Sequence, residues 1–170
     1  MNKIAMFEKV SLNQFKEDFK KATKGKHSDE YIEKIYDSIQ LPKRATTGSA
    51  GHDFKMPFLL RLEKGKDYTI PTGIRCKMSE GWVLMIYPRS GLGFKYGMAL
   101  KNTTGIIDED YYDSDNEGHI MIKVSYDTGD NGLFLEGQQS FAQGVFLPYG
   151  ITEDDNVETI RNGGFGSTGK

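Results

Sequence analysis

The stretch GWVLMIYPRSGLGFKYG, residues 81–97, decides the fold class, because a short apolar run passes directly into a glycine-rich segment. Similar apolar runs recur in GHIMIKVSY (118–126) and FAQGVFLPY (141–149), and turns such as LEKGKD and DTGDNG separate segments of this kind. No run is long enough, or regular enough at helical spacing, to indicate alternating strands and helices around a parallel sheet. Many short strands at close spacing predict an all-β fold, a jelly roll or β-barrel-like sandwich with Greek-key connections.

The segment that precedes this β region, residues 11–40, follows a helical period instead. Ser11 and Gln14 form a capping-box pattern, and apolar residues at helical spacing follow them. The segment DEYIEKIYDSI (29–39) places its apolar residues on one helical face. We therefore predict two short helices joined by the polar KGKHSD, inserted after a weak first strand in KIAMFEKV (3–10).

Length and composition limit the classes of protein to consider. The 170 residues predict one domain, and a formal net charge of −2 is unlike the basic surface that binds nucleic acid nonspecifically. One cysteine, Cys76, excludes an internal disulfide, and three scattered histidines do not complete a zinc cluster with it. We expect a cytoplasmic protein, with no signal peptide and no membrane span, because the N-terminal region has no long apolar run.

Two internal segments carry residues suited to phosphate binding or to general-base chemistry. In PRSGLGFKYG (88–97), Arg89 offers a bidentate fork and Ser90 a hydroxyl, and Gly91 permits close backbone approach to a phosphate oxygen. An ordinary turn at the end of a strand explains the same residues. In LKNTTGIIDEDYYD (100–113), Asp108 is either a general base or part of a solvated acidic turn.

The tail RNGGFGSTGK (161–170) also allows two interpretations. Its glycines and hydroxyl residues are typical of a disordered end. The same residues also suit a backbone cradle for an anion.

Five short segments, taken in chain order, resemble the five ordered motifs of the homotrimeric all-β dUTPase family. The resemblance covers residues 41–169, which is most of the chain. A series of five motifs is far more specific than any single one. The segments are LPKRATTGSAGHDF (41–54), PRSGLGFKYG (88–97), NTTGIIDEDY (102–111), FAQGVFLPY (141–149) and RNGGFGSTG (161–169).

The resemblance implies that the chain hydrolyses dUTP to dUMP and pyrophosphate. This reaction limits the incorporation of uracil into DNA and supplies dUMP for thymidylate synthesis. The motif match makes Asp108 the base that activates water for attack on the α-phosphate. Mg²⁺ is the implied cofactor, held by the triphosphate and reached by the protein through water rather than through direct ligands. The resemblance also implies a homotrimer with shared active sites.

The resemblance assigns further roles to individual residues. Residues 102–111 are expected to form a β-hairpin that reads the uracil edge, with Tyr111 beneath the deoxyribose, where it leaves no room for a 2′-hydroxyl. Asp53 is expected to support the site. Residues 161–170 are expected to form a flexible arm that closes over an active site, separate from a domain of residues 1–160. The expected phosphate ligands are Arg89, Ser90, Gly91, Gln143, Arg161, Gly166, Ser167 and Thr168, and the expected base and sugar ligands are Asn102, Gly105, Ile107, Tyr111 and Phe165.

The chain departs from the family pattern at four places. These are the helical insertion 11–40, an acidic extension at 112–117, Ser140 where motif four commonly has arginine, and His52 where tyrosine is frequent. We expect His52 to be a surface or packed histidine.

Two alternative functions remain open on the sequence. One is a dCTP deaminase of the same fold, for which Glu109 offers a carboxylate near the base. The other is a regulatory protein-interaction module that uses the helical insertion and the acidic extension as binding surfaces. In the simplest interpretation the insertion only pads a subunit edge.

Overall fold

The structure, a computed structural model, describes residues 2–159 and residue 161. Within this part of the chain the helices are α1 (Leu12–Thr23), α2 (Asp29–Ser38), α3 (Ser90–Tyr96) and a 3-10 helix (Glu109–Asp113). The strands are β1 (Ala5–Lys9), β2 (Lys43–Arg44), β3 (His52–Lys55), β4 (Leu60–Leu62), β5 (Lys66–Pro71), β6 (Ile74–Met78), β7 (Trp82–Pro88), β8 (Met98–Leu100), β9 (Gly105–Ile107), β10 (Met121–Tyr126), β11 (Leu133–Leu135) and β12 (Ser140–Pro148).

Antiparallel sheets contain more of the described residues than the helices do, which confirms the predicted all-β class. The largest sheet has the strand order β2-β3-β12-β7-β9, and a second sheet has the order β5-β10-β8. Two-stranded sheets join β1 to β6 and β4 to β11. The long apolar strands β7 and β12 pair from Ala142 opposite Pro88 to Pro148 opposite Trp82, in the interior of the largest sheet. With nine and seven residues, β12 and β7 are also the longest strands.

The insertion forms the two predicted helices and packs into the same hydrophobic core as the strands. The side-chain oxygen of Ser11 accepts a hydrogen bond from the Gln14 N–H at 3.1 Å, so Ser11 is the N-cap of α1. Each fully buried apolar side chain contributes about 1.5–3 kcal/mol to the free energy of unfolding. The insertion is therefore part of the core of this domain. Its buried apolar residues, with Val10 before α1 and Ile39 after α2, are Val10, Phe15, Phe19, Ile32, Ile35 and Ile39.

Residues 88–97 contain a helix, α3, which the sequence pattern did not predict. The helix begins after Arg89 and ends at Gly97, whose φ of 64° is in the left-handed region. Only Leu92 is buried among its residues, so no apolar stripe marks the helix in the sequence. Its internal glycines also lower its helical propensity.

Residues 102–111 do not form the expected β-hairpin. Strand β8 pairs with β10, and β9 pairs with β7, so the turn between them crosses from one sheet to the other. The chain then enters the 3-10 helix Glu109–Asp113. This crossing opens a space between the two sheets beside β9. No helix among residues 2–159 and 161 has the length and apolar character needed to cross a membrane.

Candidate active site

A cavity of about 290 Å³ lies where β9 and β10 face each other, and most of its lining is apolar. The three predicted base-binding residues Asn102, Gly105 and Ile107 all line it. A Cβ atom added at Gly105 would lie 3.0 Å from the Cβ of Ile86, so a side chain at position 105 would crowd the wall. The volume is at the lower end of the range for small-molecule pockets and is suited to a single flat ring.

Asp108 directly follows the cavity wall at Ile107, and its side chain is 47% exposed. The guanidinium of Arg161 joins two carboxylates, since Nη2 bonds Asp108 Oδ2 and Nε bonds Asp110 Oδ1 at 2.8 Å. The same guanidinium lies 5.8 Å from the centroid of the Tyr111 ring. The structure thus brings together Asp108, Tyr111 and Arg161, although the sequence indicated Arg161 as a phosphate ligand.

Tyr111 is buried beside this group, with 5% of its surface exposed. Its hydroxyl donates to the backbone carbonyl of His119 at 2.9 Å and accepts from Asn116 Nδ2 at 2.8 Å. Burial raises the pKa of the phenol, and the Asn116 bond opposes this only in part. The hydroxyl therefore remains protonated at neutral pH and fixes the ring in one orientation.

A buried polar pair, Asp18 and His119, lies behind Tyr111 and was not predicted. His119 Nδ1 lies 2.7 Å from Asp18 Oδ2, and Gln14 Nε2 donates to the same oxygen at 2.8 Å. Burial raises the pKa of Asp18, but the hydrogen bonds from His119 and Gln14 outweigh it and leave the pKa below its ordinary value. A signal was available in the sequence, because Asp18 lies between Phe15 and Phe19 on the apolar face of α1, where a carboxylate needs a partner.

The acidic extension is anchored to the N-terminal elements. The Glu117 carboxylate accepts from Ser11 twice, from the backbone N–H at 2.7 Å and from the hydroxyl at 2.6 Å. The Tyr112 hydroxyl donates to Glu8 Oε2 at 2.6 Å, and the Arg75 guanidinium lies 3.4 Å from the centroid of the Tyr112 ring. The insertion and the extension, which the sequence presents as separate departures, are one structural unit.

A second group of predicted residues surrounds Arg89. Arg89 Nη1 bonds Asp53 Oδ1 at 2.8 Å, which supports the role predicted for Asp53. The Ser140 hydroxyl donates to Asp53 Oδ2 at 3.2 Å and accepts from Lys55 Nζ at 2.9 Å. A register shift between Ser140 and Ala142 accompanies these contacts in β12. Lys55, which the sequence did not indicate, thus supplies a cation beside Ser140.

The remaining predicted phosphate ligands of the β domain lie near Arg89. Gln143 Nε2 donates to the carbonyl of Pro88 at 3.3 Å. Ser90 is the first residue of α3, and a Cβ atom added at Gly91 would meet no atom within 4 Å. The packing of this chain therefore does not require glycine at position 91. Phe94, on the same helix, is 93% exposed.

The two groups lie at opposite ends of the β7–β9 pair. Leu84 is opposite Ile107 and Ile86 is opposite Gly105, so continuing this register places Val83 level with Asp108. From residue 83 to residue 89 the chain advances six residues, or about 20 Å at roughly 3.3 Å each. One chain therefore holds Asp108 and Arg89 too far apart for both to contact the same phosphate.

Four predicted ligands, Phe165, Gly166, Ser167 and Thr168, lie outside the described residues. Among residues 2–159 and 161, no three or more His, Cys, Asp or Glu side chains form a group that could hold a metal ion.

His52 is packed, as expected, with its ring centroid 5.6 Å from that of Phe7 and 5.3 Å from that of Phe146. Burial lowers the pKa of its imidazole. Cys76 is a free, buried thiol, and burial raises its pKa to about 12. The Cys76 side chain is therefore a protonated thiol at neutral pH and lacks the properties of a nucleophile.

Comparison with known proteins adds family information to this geometry. The model of the dUTPase family matches residues 37–170. The deoxyuridine 5′-triphosphate nucleotidohydrolase of Lactococcus lactis subsp. lactis (strain IL1403) is 41% identical over 134 residues, which cover 77% of this chain and 89% of the relative. A dUTPase mutant from phage phi11 of S. aureus, described with a structural Mg(II) ion, shares the fold at 19% identity and a TM-score of 0.61, over 92% and 98% of the two chains.

A crystal structure of dUTPase from Streptococcus mutans is 30% identical, with a TM-score of 0.65, and the match covers 86% of this chain and 98% of that chain. The fold and the relatives together define an all-β nucleotidohydrolase. More narrowly, the chain belongs to the dUTPase family, because the family model covers residues 37–170. The matched region begins at residue 37, so α1 and most of α2 precede it.

Proposed function

We propose that this chain hydrolyses dUTP to dUMP and pyrophosphate, with Asp108 as the base that activates water for attack on the α-phosphate. The observation that carries the assignment is the position of Asp108, which is half-exposed and directly follows the cavity-lining residue Ile107 in a chain of the dUTPase family. A carboxylate at the edge of a base-sized cavity can hold a water close to a phosphate attached to the nucleoside. General-base catalysis of this kind contributes about 10²–10⁴ to the rate.

Arg161 links substrate binding to the availability of the base. While Arg161 Nη2 bonds Asp108 Oδ2, that oxygen is occupied and does not accept a proton from water. The triphosphate, with its higher charge, competes for the guanidinium through bidentate hydrogen bonds. In the proposed cycle Arg161 moves from the carboxylates to phosphate, and Asp108 then takes the proton of the attacking water.

The apolar cavity is the proposed uracil site. Asn102 and the backbone of β9 supply polar groups at its rim, and uracil and cytosine present opposite donors and acceptors to such groups. A buried site satisfied by uracil leaves groups unpaired with cytosine, and discrimination of this type reaches about 10⁴–10⁵. Tyr111, fixed by His119 and Asn116, is the proposed contact for the deoxyribose.

We propose a homotrimer in which each active site combines groups from different copies of the chain. The separation of Arg89 from Asp108 by about 20 Å along β7 supports this arrangement, because both side chains of a single chain cannot contact the same phosphate. The exposed Phe94 beside Arg89 and the open space at Gly91 support it further, since both are suited to contact with a neighbour or with substrate.

Magnesium is the proposed cofactor, and it would enter with the triphosphate. When bound, Mg²⁺ neutralises charge on the phosphate oxygens. The carboxylates of Asp108 and Asp110 are exposed by about half and suit contact with a hydrated ion through water. Because the triphosphate supplies the direct ligands, the protein needs no metal cluster of its own.

The cytoplasm is the proposed compartment, and a single buried free thiol is compatible with it. There the reaction would keep uracil out of DNA and supply dUMP for thymidylate synthesis.

Release of pyrophosphate from dUTP, dCTP, dTTP and UTP with Mg²⁺ tests the proposal, with Asp108→Asn and Asp110→Asn as a matched pair. Both variants remove a carboxylate that contacts Arg161, but only Asp108 is the proposed base. We expect hydrolysis of dUTP alone, a loss of about 10²–10⁴ in kcat for Asp108→Asn, and nearly normal turnover for Asp110→Asn.

Equal losses in the two variants would contradict the role of Asp108. Release of ammonia from dCTP would assign the chain to the deaminase alternative instead.

A further inference from the structure

We propose that helix α1 takes part in nucleotide selection: Asp18, acting through His119, is a positioning residue for Tyr111 and sets the discrimination between deoxyribose and ribose. The inference rests on the proposed function, in which Tyr111 contacts the sugar. It gives the helical insertion, which precedes most of the region matched by the family model, a role in the reaction.

The imidazole of His119 is held at both of its nitrogens. Nε2 accepts the N–H of Gly73 at 2.8 Å, so the ring proton is on Nδ1 and is donated to Asp18 Oδ2 at 2.7 Å. Gly73 is itself tied to the start of the insertion, because its carbonyl accepts from the Val10 N–H at 3.0 Å. The orientation of the ring therefore depends on two contacts, and one of them comes from α1.

The backbone of His119 carries this orientation to the nucleotide site. Its carbonyl is the acceptor for the Tyr111 hydroxyl at 2.9 Å. The next residue, Ile120, lines the apolar cavity that is the proposed uracil site, which is called the nucleotide cavity below. The Ile120 N–H donates to the Ile74 carbonyl at 2.9 Å. A change in the ring of His119 therefore moves the group that fixes Tyr111 and one wall of the cavity.

The burial of the pair makes the contact energetically important. His119 is fully buried and Asp18 is 9% exposed, so neither can exchange its partner for water without rearrangement. Phe15 and Phe19 already attach α1 to the core through apolar contacts. A buried carboxylate adds little to such attachment, since apolar residues of similar size usually stabilise as well or better. The pair instead fixes one orientation.

A second cavity lies beside Asp18 and shares one lining residue, Met121, with the nucleotide cavity. It has a volume of about 300 Å³ and is lined by Asp18, Asn116 and Met121 among others. Met121 also lines the nucleotide cavity, and Asn116 donates to the Tyr111 hydroxyl. The Tyr111 hydroxyl is thus held by Asn116 and by the relay, which is the series of hydrogen bonds from Asp18 through His119 to Tyr111.

Two variants weaken the relay at the α1 end with little change in volume. Asp18→Asn removes the charge, and His119→Gln keeps an acceptor for the Gly73 N–H but loses the donor to Asp18. His119→Asn is the complementary variant, because its amide retains a donor near the position of Nδ1. The matched control is Glu33→Gln, which weakens the Lys16 ion pair between α1 and α2 without contact to the relay.

The readout is the ratio of kcat/KM for UTP to kcat/KM for dUTP. This ratio does not depend on the fraction of folded enzyme, so a purely structural loss leaves it unchanged. We expect Asp18→Asn and His119→Gln each to raise the ratio about tenfold, and Glu33→Gln to leave it unchanged. His119→Asn should raise it less than His119→Gln. A ratio that stays at the wild-type value in Asp18→Asn and His119→Gln, with only lower stability, would overturn the proposal.

A measurement without turnover separates this proposal from the proposed function. In protein with ring-labelled tyrosine, the Tyr111 signal is assigned by its absence in Tyr111→Phe. Asp18→Asn and His119→Gln should shift this signal in the nucleotide-free protein, and Glu33→Gln should not. If the Tyr111 signal does not move, the coupling of Asp18 to Tyr111 is overturned, even in an active enzyme. If the signal moves but the chain does not hydrolyse dUTP, the proposed function is refuted and the coupling is retained.

Discussion

The sugar end and the phosphate end of the proposed site are built in opposite ways. At the sugar end, Tyr111 and His119 are buried, and their hydrogen bonds reach α1 and the turn at Gly73. At the phosphate end, the Arg89 side chain is 38% exposed and Phe94 is 93% exposed. The sugar end is thus completed within one chain, whereas the phosphate end is suited to completion by substrate and a neighbouring copy.

The largest expected effect tests whether helix α1 of the insertion, which reaches the sugar end through Asp18, is firmly packed in the core. Phe19 in α1 is fully buried, and Phe19→Ala should lower the free energy of unfolding by about 3–5 kcal/mol, because it leaves a cavity in the core. Leu59→Ala is the control, since Leu59 is 61% exposed and its truncation should cost about 0.5 kcal/mol or less. Urea denaturation measures both. Similar small losses would mean that the insertion is only loosely attached.

The next effect separates backbone strain from packing at the turn that holds His119. Gly73 and Gly81 both have positive φ, 73° and 80°. An added Cβ would lie 2.3 Å from Ile39 Cδ1 at Gly73, but would meet nothing within 4 Å at Gly81. Gly81→Ala should cost about 1–2 kcal/mol from strain alone. Gly73→Ala should cost about 1–3 kcal/mol more, because the methyl group overpacks the core.

Thermal and urea unfolding of the two alanine variants give the comparison directly. Equal losses would show that Ile39 moves aside freely and that α2 does not constrain the turn.

The sequence predicted the sugar end and the phosphate end unequally well. The helices of the insertion were predictable, because the caps at Ser11 and Ser28 and the apolar spacing follow local rules. The short helix α3 was not predictable, since its glycines hide it and only Leu92 is buried. Local patterns thus identified elements with a continuous apolar face and missed an element whose outer face is exposed.

Contacts between distant segments were beyond the sequence for a different reason. Asp18 and His119 are 101 positions apart, and Glu117 and Ser11 are 106 apart. No local pattern connects such residues, although the charge of Asp18 on an apolar face indicated that a partner existed. The motif resemblance named Arg89 and Asp53 as site residues, but it gave no role to Lys55. In the sequence Lys55 is an ordinary strand residue, and no local pattern marks it as a partner of Ser140.

A smaller effect concerns acid stability at the sugar end. The pKa of Asp18 is lower in the folded chain than in the unfolded chain, because the bonds from His119 and Gln14 outweigh the effect of burial. Its stabilising contribution is therefore fully present above about pH 4, the ordinary value for aspartate, and is lost as the pH falls through the lower folded pKa. Urea unfolding of wild type and Asp18→Asn from pH 7 to pH 3 measures this contribution.

The stability difference between the two proteins should shrink as the pH falls below about 4. A difference that grows as the pH falls would have the wrong sign and would mean that burial dominates the pKa of Asp18. Asp29→Asn is a surface control, because its carboxylate is about half exposed and pairs with Lys20 across the helices.

The smallest effect tests how the phosphate end positions Arg89 without the motif-four arginine. The Ser140 hydroxyl joins Lys55 to Asp53, which in turn bonds Arg89. Ser140→Ala removes the hydroxyl that bonds both charged side chains, so kcat/KM for dUTP should fall about fivefold, which corresponds to about 1 kcal/mol in the positioning of Arg89. Ser140→Thr retains the hydroxyl and should recover most of the loss. If Ser140→Ala were fully active, the single bond from Asp53 would suffice to orient Arg89, and the contacts of Ser140 would have no part in positioning it.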